Sequence, residues 1–361
     1  MIEMEKLIRV LIVDDSAVVR KVMTDELSRF NDIEIVGTAV DPYVARDKIV
    51  ELRPDVITLD LEMPRMDGLS FLAKLMKHFP IPVVVLSSLT PKNSELALKA
   101  LDLGAVEVLC KPGAAYSTKN ISQQLVLAIR SAAVAKINHH IETSRPAVKE
   151  APTNNLLVQT THKIIAIGAS TGGTKAIEAV LSGLPATIPG IVIVQHMPEH
   201  FTTSFAQRLN DICPMEVREA QNNDRVVPGV ALIAPGNHHM VLTRNGGTYL
   251  ARIKDGPRVH YQRPSVDVLF QSVAKSAARN VVGVILTGMG ADGAKGMLAM
   301  KNSGAYTMAQ DEATCVVYDM PKEAVKFGGV DKIVPIPGMP QAIINALEYV
   351  TNTSKSPAKV G

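Results

Sequence analysis

Tryptophan is absent, and tyrosine and phenylalanine bring the aromatic content to only 4%. Dense Lys/Arg clusters interleaved with stacking rings are missing too, and the net charge is a modest +3 over 361 residues. Both absences argue against a nucleic-acid partner. The three cysteines, Cys110, Cys213 and Cys315, are odd in number, far apart and without a CxxC pair. That argues against a disulfide framework and reads as three small buried hydrophobes. No run approaches the roughly 18 uninterrupted apolar residues of a membrane helix, so no membrane insertion is expected. The first residues lack the cationic region, apolar stretch and cleavage site of a secretory signal, and cytoplasmic residence is the default expectation.

What the chain does have is enough apolar material, 47% of the residues, for two cores, and its length favours two domains. From Leu7 to Lys136 apolar runs alternate with amphipathic stretches: LIRVLIV, then a helix from Ala17; IEIVG, then one from Pro42; DVITL, then one from Gly68. IPVVVL, a helix from Asn93, AVEVL and a final helix near Ile121 complete the series. This alternation predicts a doubly wound, five-stranded parallel sheet of the flavodoxin-like kind. Residues 137–160 are polar, carry two prolines and lose all periodicity, which reads as a linker. KIIAIGA, IVIVQ, an amphipathic stretch from Phe201, short strands near Glu216 and Ala231, and VVGVIL before a helix from Gly293 then define a second domain over 161–351. That domain is expected to be mainly parallel α/β with one β-hairpin, because MVLTRNGGTYLARI sets Asn-Gly-Gly between two alternating segments.

In open α/β sheets functional groups gather at the carboxyl ends of the strands. In the first half those ends carry Asp14 and Asp15, then Asp60, then Ser87, then Lys111 followed by Pro112. Singly, each has a plain structural role available: a helix N-cap, a turn residue, a solvated loop charge. Together, three converging carboxylates call for a hard cation such as Mg²⁺. Asp60 could then attack a phosphoryl donor while Ser87 and Lys111 hold the new oxygens. The set DD, D, S and KP resembles the receiver domain of two-component response regulators, over 7–136. By that resemblance Asp60 is the phosphoacceptor, and Asp14, Asp15, Asp60 and a backbone oxygen of Glu62 hold Mg²⁺. The phosphodonor is then a histidine kinase. Val108 stands where receivers often carry a switching aromatic, which leaves a ring-rotation switch in question.

In the second half, Gly168-Ala169-Ser170-Thr171-Gly172-Gly173 places a serine on a sharp strand-to-helix turn, where small neighbours expose the hydroxyl and backbone N–H groups can hold an oxyanion. A glycine-rich phosphate loop is the competing reading, but neither P-loop nor dinucleotide spacing is present. His196, directly after IVIVQ, is the best-placed base; His238 and His239 compete, and in isolation His196 reads rather as a polar loop residue or a helix-entry group. Asp292, after VVGVILTGMGA, is either the carboxylate that orients an imidazole or the cap of the helix beginning at Gly293. All three residues are expected just beyond apolar strands, hence at one sheet edge.

The chain order Ser, His, Asp is not that of α/β-hydrolases. GASTGGT, QHMPEHFTTSFAQRL, APGNHHM, RPSVDVLF and TGMGADGAKGM together resemble the catalytic domain of chemotaxis-type protein-glutamate methylesterases. The resemblance implies Ser170 as nucleophile, His196 as base, Asp292 as orienter, and no cofactor for the esterase. The implied reaction is hydrolysis of glutamyl methyl esters on chemoreceptors, with deamidation of receptor glutamines, under control of receiver phosphorylation. Thr171 and Met289 are the candidate backbone donors to the oxyanion.

Overall fold

The computed structural model describes residues 7–88, 90–111, 118–136 and 162–355. The chain separates into two compact units, one through residue 139 and one from residue 140. The predicted linker at 137–160, and Pro112, lie outside the described residues.

The first unit alternates β1 (Ile8–Val13), α1 (Ala17–Leu27), β2 (Ile33–Ala39), α2 (Pro42–Leu52), β3 (Val56–Asp60), α3 (Gly68–His78), β4 (Val83–Ser87), α4 (Pro91–Asp102), β5 (Glu107–Cys110) and α5 (Thr118–Val134). The strands pair in the order β2-β1-β3-β4-β5, all in parallel. β3 and β4 are buried along their whole length, as expected of strands covered by helices on both faces. Helix starts follow local chemistry. The Asp41 carboxylate accepts from Tyr43 N and Val44 N ahead of Pro42, and the Thr90 hydroxyl accepts from Asn93 N ahead of Pro91. That second cap starts α4 two residues before the expected Asn93. The strand order reverses between β1 and β3, the switch point at which such sheets carry their sites. Asp14 follows β1 and Asp60 ends β3.

The second unit contains β6 (Ile164–Ala169), α6 (Gly173–Ser182), β7 (Gly190–Gln195), α7 (Phe201–Ile212), β8 (Glu216–Glu219), β9 (Asp224–Val226), β10 (Val230–Ile233), β11 (His239–Asn245) and β12 (Thr248–Lys254). It continues with α8 (Val266–Ala277), β13 (Val281–Ile285), α9 (Ala294–Asn302), β14 (Tyr306–Gln310), α10 (Asp319–Lys326), β15 (Lys332–Val334) and α11 (Met339–Lys355). Seven strands form one parallel sheet ordered β15-β14-β13-β6-β7-β10-β8. β6, β7 and β13 are fully buried at its centre.

The predicted hairpin is β11–β12, with Asn245 opposite Thr248 and Gly246-Gly247 as the two-residue turn. Gly246 has φ +57°, the conformation that a primed hairpin turn requires at its first central residue. The hairpin does not extend the main sheet. With β9 it forms a separate three-stranded antiparallel sheet. Met240, Leu242, Tyr249 and Ala251 of that sheet share a core with Phe270 and Val273 of α8. Among the described residues no helix is long and apolar enough to cross a membrane.

Candidate active site

In the first unit the structure brings the side chains of Asp14, Asp15, Asp60 and Lys111 together. Lys111 Nζ lies 2.6 Å from Asp60 Oδ2 and 3.1 Å from Asp14 Oδ2. The other carboxylate oxygens accept backbone N–H groups, Glu62 N at Asp60 Oδ1 (3.0 Å) and Ser16 N at Asp14 Oδ1 (2.9 Å). Burial pushes the Asp60 carboxyl above the ordinary range, only partly offset by Lys111 and Glu62 N. Burial works against the Lys111 ammonium, yet Asp60 and Asp14 outweigh it and raise its pKa. Asp14, Asp15 and Asp60 each offer an oxygen within 4.8 Å of the others.

Three carboxylates facing one lysine leave a local excess of negative charge, and an all-oxygen donor set with one exposed member suits Mg²⁺. The residues therefore fit that ion. Ser87 ends β4 with a buried hydroxyl that makes no hydrogen bond among the described residues, and Lys111 N bonds to Ser87 O (2.9 Å). Val108 is a buried residue of β5.

In the second unit β6 and β7 run side by side with Ala169 paired to Gln195, so Ser170 and His196 are the next residues on adjacent strands, about 4.8 Å apart in that direction. His196 N donates to Ala169 O (3.1 Å), and Ser170 N to Thr287 O (3.0 Å) on the β13 side. Gly172 takes φ +77°, which turns the chain into α6. Close approach also matters at Gly288, where a Cβ would sit 2.6 Å from Ser170 Cβ.

His196 Nε2 lies 2.8 Å from Asp292 Oδ2, and both side chains are almost fully buried. The carboxylate takes three further donors from the start of α8: Ser265 Oγ (2.8 Å), Val266 N (2.8 Å) and Asp267 N (2.9 Å). Burial by itself disfavours the Asp292 anion, but the hydrogen bond and charge of His196 and these backbone groups outweigh it and hold its carboxyl below the ordinary range. An ionised carboxylate at Nε2 fixes the proton there, so Nδ1 carries the free lone pair. Nδ1 is buried and makes no hydrogen bond among the described residues; the Ser170 hydroxyl is not bonded to it in this conformation.

Two expectations change. Asp292 does not cap the helix at Gly293, since α9 has no side-chain cap bond at its start; it accepts from the N-terminus of α8 instead. Nor does it directly follow a strand, because β13 ends at Ile285 and a seven-residue excursion brings the carboxylate back. The rival histidines are placed elsewhere. His239 accepts from Ser265 N at Nδ1 and faces Pro257 O at Nε2, which steadies the loop before α8. His238 pairs with the exposed Asp255. Met289 N makes no hydrogen bond among the described residues, leaving it available to a ligand. Ser265 and Gln195 were not singled out in the sequence. Ser265 before an amphipathic run had an N-cap signal, but nothing local tied it to a residue 27 positions on.

The residues at 165–343 match the family model described as CheB methylesterase, and residues 10–121 match that of the response regulator receiver domain. The protein-glutamate methylesterase/protein-glutamine glutaminase 2 of Syntrophus aciditrophicus is 58% identical over 337 residues, which span 93% of this chain and 98% of that one. The chain belongs to the CheB methylesterase family. A Salmonella choleraesuis protein of the same description is 53% identical, with 93% of this chain and 96% of that one covered. The crystal structure of the Thermotoga maritima CheB methylesterase catalytic domain superposes with a TM-score of 0.50 at 38% identity, covering 51% of this chain and 97% of that one. Ser170, His196 and Asp292 all fall inside the stretch that matches the CheB methylesterase model.

Proposed function

We propose that this chain hydrolyses glutamyl methyl esters on chemoreceptors through Ser170, His196 and Asp292, and that phosphorylation of Asp60 controls the reaction. The observation that carries the reading is the buried His196–Asp292 contact at Nε2, with Nδ1 buried and unpartnered one residue beyond the strand pairing that also presents Ser170.

As Ser170 Oγ attacks the ester carbonyl, His196 Nδ1 takes the hydroxyl proton, and Asp292 stabilises the imidazolium without itself accepting the proton. The Met289 and Thr171 N–H groups hold the oxyanion. The tetrahedral centre then expels methoxide, which takes the proton from His196 and leaves as methanol. A water activated by the same nitrogen releases the glutamate. A glutamine side chain passes through the same acyl-serine with ammonia as the leaving group, which accounts for deamidation.

In the receiver unit, Asp14, Asp15 and Asp60 would hold Mg²⁺ with a backbone oxygen of Glu62, and the ion would offset the charge of incoming phosphoryl oxygens. Asp60 attacks phosphorus of a kinase phosphohistidine, the P–N bond breaks to release the kinase's imidazole, and the phosphoryl group passes to the carboxylate. Lys111 and the unpartnered Ser87 hydroxyl then bind its oxygens. The test is Ser170→Ala, which should abolish methanol release from methylated receptor while Asp60 still accepts phosphate. Persisting turnover would remove the serine from the mechanism.

A further inference from the structure

We infer that Gln195 is a positioning residue whose amide fixes the plane of the Ser170–Thr171 peptide and so aims the Thr171 N–H, an inference that rests on the readings above of Ser170 as nucleophile and of the Thr171 N–H as an oxyanion donor. Gln195 ends β7 and is 4% exposed. Its Nε2 donates to Ser170 O (2.9 Å) and to His196 O (3.2 Å), so a single amide ties the turn carrying the nucleophile to the turn carrying the base. Ser170 O also accepts from Gly173 N at 2.7 Å.

A peptide unit is planar and trans, so the carbonyl of Ser170 and the N–H of Thr171 lie in one rigid plane and point in opposite directions. Two donors that hold the carbonyl therefore set the direction of the N–H. Donors fixed in advance toward developing charge are what lowers the barrier in acyl transfer.

The other end of the amide shows that the site is built for it. Gln195 Oε1 is buried without a hydrogen-bond partner among the described residues, and it occupies the space a Cβ on residue 173 would need, 2.2 Å from that position. Burying an acceptor unpaired is unfavourable. A methionine would fill the same volume without that cost, and what it would lack is the pair of donors.

The test uses the full chain carrying Gln195→Met, measured under the same phosphodonor and Mg²⁺ conditions as the parent. Removing one oxyanion donor outright typically costs about 10²–10³ in kcat; misaiming one should cost about 10–100-fold, with KM within about twofold. Affinity for a small boronic acid should weaken by a similar factor. Its boron takes up the Ser170 oxygen as His196 takes the proton, giving a tetrahedral anion that uses the same donors. A kcat within about twofold of the parent overturns the inference, and so does a loss of kcat with boronate affinity unchanged. If Gln195→Met lacks a cooperative thermal transition, Gln195→Asn, one methylene shorter, decides by the same two readings. Ser170→Ala is measured alongside. Turnover surviving there counts against the serine reading, whereas a silent Ser170→Ala with a normal Gln195→Met counts against Gln195 alone.

Discussion

Replacing Asp292 by asparagine changes one oxygen to an amino group, and the surroundings make that change severe. All four partners of the carboxylate are donors: Ser265 Oγ and Asp267 N at Oδ1, Val266 N and His196 Nε2 at Oδ2. Whichever way the amide is turned, its NH₂ meets a backbone N–H, and one buried peptide donor loses its acceptor. With NH₂ toward Val266 and His196, the imidazole must accept at Nε2 and carry its proton at Nδ1, where the base is needed. With NH₂ toward Ser265 and Asp267, the tautomer survives, but the imidazolium loses its counter-charge.

The first arrangement corresponds to a loss of about 10⁴ in kcat, the scale found when a triad carboxylate is neutralised in place. Stability should fall by about 1.5–3 kcal/mol for one charge-assisted bond lost. Because the folded Asp292 carboxyl lies below its unfolded value, its contribution to stability is present above the ordinary carboxyl pKa and is lost as pH falls through the lowered folded value. The parent should therefore lose more stability than the asparagine variant on acidification. Methanol release from methylated receptor, together with thermal midpoints at pH 7 and in steps below the ordinary carboxyl value, down to about pH 2.5, measures all of this. Turnover within tenfold of the parent, or equal acid sensitivity in the two proteins, would refute the assignment.

Gly288→Ala should lower kcat by about 10²-fold, because its Cβ would stand 2.6 Å from Ser170 Cβ and small displacements of reacting groups are costly; esterase turnover of the folded variant checks it. Asp60→Asn should block phosphorylation and make the receiver's thermal midpoint less dependent on pH above the ordinary carboxyl range. The folded Asp60 carboxyl is pushed up by burial, so its ionisation costs stability as pH rises above the unfolded value; a neutral isostere removes that pH dependence while giving up the Lys111 contact. Calorimetry across pH reads the sign.

Much of the architecture was legible along the chain. β3, β4, β6, β7 and β13 are buried on both faces and therefore appear as short continuous apolar runs, which is why their ends, and the polar residues just past them, could be located. The Asn-Gly-Gly signal placed the β11–β12 turn because positive φ at Gly246 is a local demand. β9, β14 and β15 left weaker traces. They are three to five residues long, and β15 is largely exposed, so neither length nor apolar content marks it.

The sequence by itself determined two α/β units and the chemistry at their strand ends, because burial and turn geometry act between near neighbours and leave a periodic imprint. Tertiary structure alone decided that Asp292 binds the start of α8 rather than capping α9, that His239 serves a loop, and that the Gln195 amide spans two turns. Those bonds join residues set side by side by strand order and by excursions between strands. A hydrogen bond depends on distance and angle in space, and separation along the chain carries no record of either.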